Sequence, residues 1–345
     1  MQIERIDGCG DDELKDYVLS NPRSLLYSSP DYLRLISEHL NAESGWLVAR
    51  NAREIQGVLP VAKCNGSLGP VFNSFAYYGS NGAVVQRDAD EDAKTALIHA
   101  FYADAKDAGA CSATIINNPL EQDGEFYAAN ANHDYLDERI GQITHFPDSK
   151  EGDDLFAMFS NPRPRNIRKA IKDGVEVSAS NDQSSLEFLY NVHFENMQRI
   201  GGLGKSWDFF EKVKSLMPED TWSIHLATME GQPIAALLLF YFNKTVEYFT
   251  PVILAEHRGT QALALVIFEA MKDAMLRGYD NWNWGGTWLS QGGVYDFKKR
   301  WGTSEHTYYY FTQVFNQDVL SLSKAVLVKD YLGFYVVPFD ALKGE

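Results

Sequence analysis

Cysteine is scarce in this sequence: Cys9, Cys64 and Cys111 are three among 345 residues, far apart and without a CxxC pair. That excludes a disulfide framework and a structural zinc ribbon, and it points to a reducing compartment. Long apolar runs are missing as well. The longest, Ile234 to Phe242, falls far short of the roughly 20 residues a membrane-spanning helix needs. The start, MQIERIDGCGDDELK, is charged by Glu4 and has no apolar core, so it does not read as a signal peptide. Positive charge is also short. Against 47 acidic side chains there are 31 basic ones, leaving a formal charge of -16. A surface this acidic repels phosphate backbones over long range, which argues against a DNA binder or an unspecialised RNA binder. The eight histidines show no HExxH or HxH spacing, so no metal is expected. These absences describe a soluble protein without a transmembrane segment, expected in the cytoplasm.

What is present is a globular composition. A hydrophobic share of 45% with 13% aromatics supports substantial cores, and 345 residues are too many for one typical core. The polar stretch Phe146 to Asp154 reads as an exposed linker, which predicts one domain over 1–150 and a second over 151–345. In the first, helical spacing covers Asp31 to Leu40 and Asp92 to Ala108, and alternation marks Gly45 to Arg50 and Ile55 to Lys63 as paired strands. Short strands are expected at Ala113 to Ile116 and His133 to Leu136. In the second, helices are expected at Arg165 to Lys172, Leu186 to Ile200 and Trp207 to Met217. Three hairpin-linked strands follow, Trp222 to Met229, Ile234 to Phe242 and Thr245 to Val252. Then come a long helix Thr260 to Arg277, a strand Asp280 to Trp284, a short helix Val294 to Trp301 and a last strand Thr307 to Phe315. Mixed antiparallel strands with a long crossing helix indicate an α+β fold and exclude a doubly wound dinucleotide fold.

Several tempting motifs fail. Gly204-Lys205-Ser206 ends like a phosphate loop, but Arg199 stands where that motif needs glycine and the preceding residues are helical. Gly79-Ser-Asn-Gly82 is no nucleophile elbow, because its serine follows glycine directly. Trp282, Trp284, Trp288 and Trp301 fall within twenty residues and read as core, with one forming a pocket wall.

Two constellations survive. Arg163-Pro-Arg165-Asn-Ile-Arg168-Lys169-Ala-Ile-Lys172 carries five cations and no acid in an acidic chain. Arg165, Arg168, Lys169 and Lys172 share a helix face. That face can hold a diphosphate or an RNA phosphate, or it is simply solvated. The second runs from Asn281-Trp-Asn-Trp284-Gly285-Gly286 to Gly292-Gly293-Val-Tyr-Asp-Phe297-Lys298-Lys299-Arg300-Trp301-Gly302. A strand entering a double glycine lets a ligand approach backbone closely. A lysine beside it is suited to stabilise charge developing on a carbonyl oxygen, or all three cations are surface groups.

The order Arg-x-x-Ile-Arg-Lys-Ala-x-Lys-x-Gly-Val (Arg165 to Val175), three strands, a long helix, Gly-Gly, then Phe-Lys-x-x-Trp-Gly (Phe297 to Gly302) resembles the FemAB family. The likeness runs over roughly 25–316 and is strongest beyond 155. It implies two tandem GNAT-like domains, each a mixed, mostly antiparallel sheet flanked by helices. It also implies an acyltransferase that moves an amino acid from aminoacyl-tRNA to an amine of a peptidoglycan precursor. On that resemblance Lys298 is the catalytic lysine near the aminoacyl carbonyl, and Arg165 and Arg168 hold precursor phosphates. Trp284, Gly285, Gly286 and Phe297 line the substrate site, and Tyr78-Gly79 matches the family's aromatic-glycine loop. Glu247 is the candidate base that takes the amine proton; alternation sets it opposite Val246 and Tyr248, and an exposed strand position is its competing reading.

The sequence also departs from the family. It has no coiled-coil arm for tRNA, and -16 suits tRNA poorly. His257-Arg258-Gly259 sits where a GNAT pyrophosphate loop would be, which makes Arg258 and Gly259 donor-binding candidates and keeps acyl-CoA open as the donor. No tightly bound cofactor is expected. The acceptor is expected to be a small-molecule or lipid-linked envelope precursor, or a sugar or polysaccharide intermediate for an acyl-CoA enzyme. A non-catalytic precursor-binding protein is the reading from another class. Oligomeric state stays open, and so does the place where the Val-, Leu- and Tyr-rich tail beyond Gln317 packs.

Overall fold

The computed structural model describes residues 1–75, 83–86 and 91–343. Its chain divides into two units, the first formed by 1–140 together with 306–345 and the second by 141–305.

The first unit opens with β1 (Gln2–Asp7), α1 (Asp12–Ser20), α2 (Pro30–Leu40), β2 (Glu43–Asn51), β3 (Glu54–Gly66) and β4 (Gly69–Asn73). Next come α3 (Glu91–Asp107), β5 (Ser112–Ile116), α4 (Gly124–Asn130) and β6 (Tyr135–His145), the last of which carries the chain into the second unit. Strands β1 to β4 pair antiparallel in sequence, and β4 pairs with β5 in parallel across the α3 crossover. Each helix start follows from its sequence. Asp11 caps α1 by accepting from the Leu14 N–H, and Ser29 caps α2 from Tyr32 ahead of Pro30, whose ring suits the first turn. The core of this unit joins one face of α3 (Leu97, Ile98, Phe101) to Leu47, Leu59 and Ile115 of the sheet.

The second unit continues with α5 (Gly152–Ala157), α6 (Arg163–Lys172), β7 (Glu176–Ser180), α7 (Gln183–Arg199), α8 (Trp207–Leu216), β8 (Trp222–Met229), β9 (Gln232–Phe242) and β10 (Thr245–Ile253). After these come α9 (Ala262–Leu276), β11 (Asn281–Thr287) and α10 (Gly292–Lys299). Here β7 to β10 are antiparallel neighbours, and β11 returns parallel to β10 across α9. Helix α9 is apolar nearly all round, as a helix sandwiched between a sheet and α6 must be. Both units thus repeat one order: strand, two helices, three antiparallel strands, a helix and a parallel strand. This is the expected α+β class, with a mixed, mostly antiparallel set of strands in each unit.

The unit boundary differs from the seam expected at 150/151. The polar stretch 146–154 lies inside the second unit. The reason is β12 (Ser304–Val314), which pairs antiparallel with β5 and returns the chain to the first unit, followed there by α11 (Lys324–Asp330). Phe146 is buried in the second core, and its N–H donates to the Asp280 carbonyl, so the seam begins as packed structure. The tail left open by the sequence packs on its own chain. The Tyr331 hydroxyl donates to Gly69 O and accepts from the Leu68 N–H, and the Asp330 carboxylate accepts from the N–H and hydroxyl of Ser67.

Candidate active site

The second unit's sheet comes apart at one place. Strands β10 and β11 pair at only three positions, Thr245–Asn281, Val246–Trp282 and Glu247–Asn283. Both strands then continue, β10 to Ile253 and β11 to Thr287. On its other edge β10 shifts register against β9 between Tyr248 and Thr250, a bulge where the parallel pairing stops. A bulge bends and twists its strand, and here it turns β10 away from β11.

On the α9 side of this gap lies a cavity of about 160 Å³ lined by Arg163, Arg258, Gln261, Leu263, Phe297 and Trp301. Arg163 opens α6 and is buried because it continues the helix stripe formed with Ile167 and Ala170. Its guanidinium stands 4.2 Å from the centre of the Phe297 ring and 5.2 Å from that of Trp301. One N–H donates to Phe297 O at 3.2 Å, whereas the buried Nε has no acceptor. Burial lowers its pKa, the neighbouring Arg300 adds to this, and Tyr248 opposes it. Among the described residues no carboxylate pairs with it. A buried cation with an unused donor, facing a cavity, is a site built for an anion. Arg258 sits at the rim, in the tight turn Ala255–Thr260 that leads through Gln261 into α9. Gln261 adopts the left-handed conformation (φ 63°) that a pyrophosphate-loop glycine would otherwise take.

Lys298, on α10, is 7% exposed. Its ammonium donates to Gly285 O (3.2 Å), Gly286 O (3.1 Å) and Thr287 Oγ1 (2.9 Å), which occupies all three protons. Desolvation lowers its pKa to about 8. Thr287 passes its own proton toward Gln142 Oε1, and the Gln142 amide is held by Tyr295 O. The lysine therefore braces the free end of β11 rather than pointing into open solvent.

Glu247 is also buried, at 1% exposed, so the exposed-strand reading does not hold. Both its oxygens accept from Asn283 Nδ2, at 3.2 and 2.9 Å, and the Asn283 oxygen in turn accepts from the Gly285 N–H. Val246 packs in the α9 core, so alternation places Glu247 on the opposite face of the sheet, toward α7.

The remaining expected residues divide. Phe297 and Arg258 meet at the cavity, and Gly259 is exposed in the turn behind Arg258. Gly285 and Gly286 offer their carbonyls to Lys298. Trp284 is core: it stacks on Trp301 at 5.7 Å and donates to Thr144 Oγ1, leaving no face for a ligand. Arg165 and Arg168 lie on the exposed face of α6, Arg168 over the Phe156 ring. Tyr78 and Gly79 fall outside the described residues. Among the tryptophans Trp282, Trp284 and Trp301 are buried and Trp288 is 41% exposed. Sequence reasoning missed Arg163 as the buried cation, although its spacing to Ile167 and Ala170 was the available signal. It also passed over Lys205, whose burial lowers its pKa to about 8 and whose Nζ lies 5.0 Å from the centre of the Phe249 ring on β10. Among the described residues no group of three His, Cys, Asp or Glu is placed to hold a metal.

Residues 163–299 match the family model described as an acetyltransferase (GNAT) domain. The crystal structure of FemX superimposes with a TM-score of 0.73 over 92% of this chain and 98% of that one, at 17% identity. The fold is FemAB-like. A tandem GNAT protein from the clavulanic acid biosynthesis pathway matches with a TM-score of 0.54 over 91% of this chain and 98% of its own, at 11% identity. In sequence the chain is 22% identical over 194 residues to the UDP-N-acetylmuramoylpentapeptide-lysine N(6)-alanyltransferase of Weissella viridescens, covering 52% of this chain. The match spans 56% of that curated relative's length. The matched GNAT segment contains the whole of the β10–β11 gap, Arg163, Arg258 and Lys298.

Proposed function

We propose that this FemAB-like chain is an acyltransferase that forms an amide on an amino group of a cell-envelope or polysaccharide precursor, with aminoacyl-tRNA as the donor. The observation that carries the reading is Arg163: a buried guanidinium without an acidic partner among the described residues, facing a cavity beside the β10–β11 gap. An activated acyl donor or a nucleotide-linked acceptor brings phosphate, and phosphate satisfies that guanidinium and Arg258 together. The relative's name describes alanyl transfer to the N6 amine of a lysine in a UDP-linked peptide, a substrate with both groups.

The Arg163 cavity and Glu247 lie on opposite faces of the sheet beside the gap, which supports a division of labour. Phosphate is held on the α9 face, and the amine approaches from the face of Glu247. The amine nitrogen attacks the donor's ester carbonyl, a C–N bond forms, and an oxyanion develops. The C–O bond to the donor's ribose then breaks, and the ribose oxygen leaves as a hydroxyl on taking the proton that the amine has given up to Glu247. Glu247 takes the proton the amine gives up. The Lys298 ammonium trades one of its three β11 contacts for the oxyanion, and its positive charge is what the transition state uses.

Acyl-CoA is the second reading, favoured by Arg258 and Gln261 at the start of α9, where a diphosphate would meet the helix. Binding of the purified protein to charged tRNA and, separately, to acetyl-CoA at low ionic strength decides between the donors. The tRNA reading predicts binding that weakens steeply as salt rises. Silence from both donors, with Lys298→Ala changing nothing, would leave a precursor-binding protein and end the enzyme reading.

A further inference from the structure

Two loops leave the open end of the second unit's sheet, and both carry apolar side chains out into solvent. The first, 200–206, joins α7 to α8, with Ile200 at 72% and Leu203 at 73% exposed. The second, 288–291, joins β11 to α10, with Trp288 at 41% and Leu289 at 63% exposed. Strands β10 and β11 are parallel, so their C-terminal ends lie at the same end of the sheet. The 200–206 loop belongs to that end: Asn196, just before it, donates to the carbonyl of Ile253, the last residue of β10. Both loops therefore flank the mouth of the β10–β11 gap.

Their sequences are unusual for this chain. From Met197 to Ser206 and from Trp284 to Tyr295 there is no acidic residue, in a protein with 47 of them. Arg199 and Lys205 bracket Ile200 and Leu203, and Arg258 follows the end of β10. The nearest acids in sequence sit back from the tips: Glu195, Asp208 and Asp296 on helices and Asp280 ahead of β11, with Asp208 paired with Lys212 and Asp280 with Lys150; Glu256 shares the turn of Arg258. The apolar side chains stand on separate glycine-rich tips, a form that suits insertion between headgroups better than a flat protein contact. Burying apolar tips while cations meet anionic headgroups is how peripheral proteins hold a membrane surface, and tryptophan favours that interface.

We propose that this end of the second unit docks onto an anionic phospholipid surface, with Ile200, Leu203 and Leu289 inserting and Arg199 meeting the headgroups. The docking presents the mouth of the gap to the bilayer. It goes beyond the transfer reaction and does not depend on it, so a failed transferase assay leaves it standing.

The test is co-sedimentation of the full chain with vesicles of phosphatidylcholine alone and of phosphatidylcholine with phosphatidylglycerol, at low and high salt. Binding is expected only with phosphatidylglycerol and is expected to fall with salt. An Ile200→Ser/Leu203→Ser variant should bind roughly tenfold more weakly or not at all, since it removes two inserting side chains. Leu276→Ser, which removes an equally exposed apolar group at the far end of α9, should bind as the parent does. Near-parental melting temperatures show that the variants fold. No binding to either vesicle, or equal loss in Leu276→Ser, would overturn the proposal. So would a change in oligomeric state, measured by sedimentation velocity, that the loop variant abolishes while vesicle binding persists; the tips would then be a contact between copies.

Discussion

Lys298 concentrates the chemistry of the site in one residue, because burial and three neutral acceptors pull against each other. The acceptors support the ammonium, while desolvation holds its pKa near 8. The lysine is charged below that value and neutral above it. Transfer that depends on its charge should fall as pH rises through about 8, and Lys298→Arg, which stays protonated, should lack that falling limb. Lys298→Ala should lower kcat by about 10²-fold or more with the fold intact, the usual cost of removing a preorganised donor. The same shift affects stability. Between about pH 8 and 10.5 the unfolded lysine still holds a proton that the folded one has lost, so the native state gains stability as pH climbs through that window. Lys298→Met should show no such gain in urea melts across those pH values.

Helix α6 shows how far an element can be read from sequence and where that reading stops. The shared cationic face of Arg165, Arg168, Lys169 and Lys172 was legible from spacing, whereas spacing left open whether it holds phosphate or is solvated; all four side chains are exposed. The buried member, Arg163, was not singled out, because a cation on an apolar stripe gains its meaning only once Phe297 and Trp301 close over it. Hairpins β8 to β10 were equally legible from alternation and turn residues. The gap between β10 and β11 was not, since the point where parallel pairing ends is set by a bulge and by what the strands pack on. Strand β6 was expected as the short run His133 to Leu136 and extends from Tyr135 to His145. Its polar residues hid it; inside the fold Arg139 donates to Asp137 and the Gln142 amide to Tyr295 O. At this scale Arg163→Met is the informative change. Removing a buried, unpaired charge for an apolar side chain of similar length should leave thermal stability equal or raised. Phosphate-bearing substrate should bind it more weakly by about 1.5–3 kcal/mol, the loss of a hydrogen bond to a charged group. Arg165→Ala should cost less than 1 kcal/mol in either measurement, as exposed charges do.

The chain comprises a first unit that is discontinuous in sequence and a second that is continuous, and the two respond to different perturbations. In the second, burial keeps His193 and His225 neutral, each with a pKa of about 4 against an ordinary 6.5. His193 accepts the Lys205 N–H and so ties down the 200–206 loop. As pH falls from 6.5 toward 4 the unfolded histidines gain protons the folded ones refuse, so stability drops, by on the order of 2–3 kcal/mol per histidine. His193→Asn keeps an acceptor without titrating and should remove about half of that acid loss in urea melts. The first unit depends instead on its returning tail. Tyr331 lies beneath Gly66 so closely that a Cβ there would stand 2.2 Å from the Tyr331 ring. The sequence did not reveal this pairing, because 265 residues separate the partners and only the β5–β12 pairing brings the tail back. Gly66→Ala should therefore destabilise the protein by about 1–3 kcal/mol through overpacking. Tyr331→Ala should cost about 3–5 kcal/mol as a large buried side chain lost, with its hydroxyl contacts to Leu68 and Gly69. The double variant should be less destabilised than the sum, since the alanine at 331 vacates the space that the methyl at 66 needs. Strict additivity in that cycle, measured by urea unfolding, would mean the tail does not bear on Gly66 in solution.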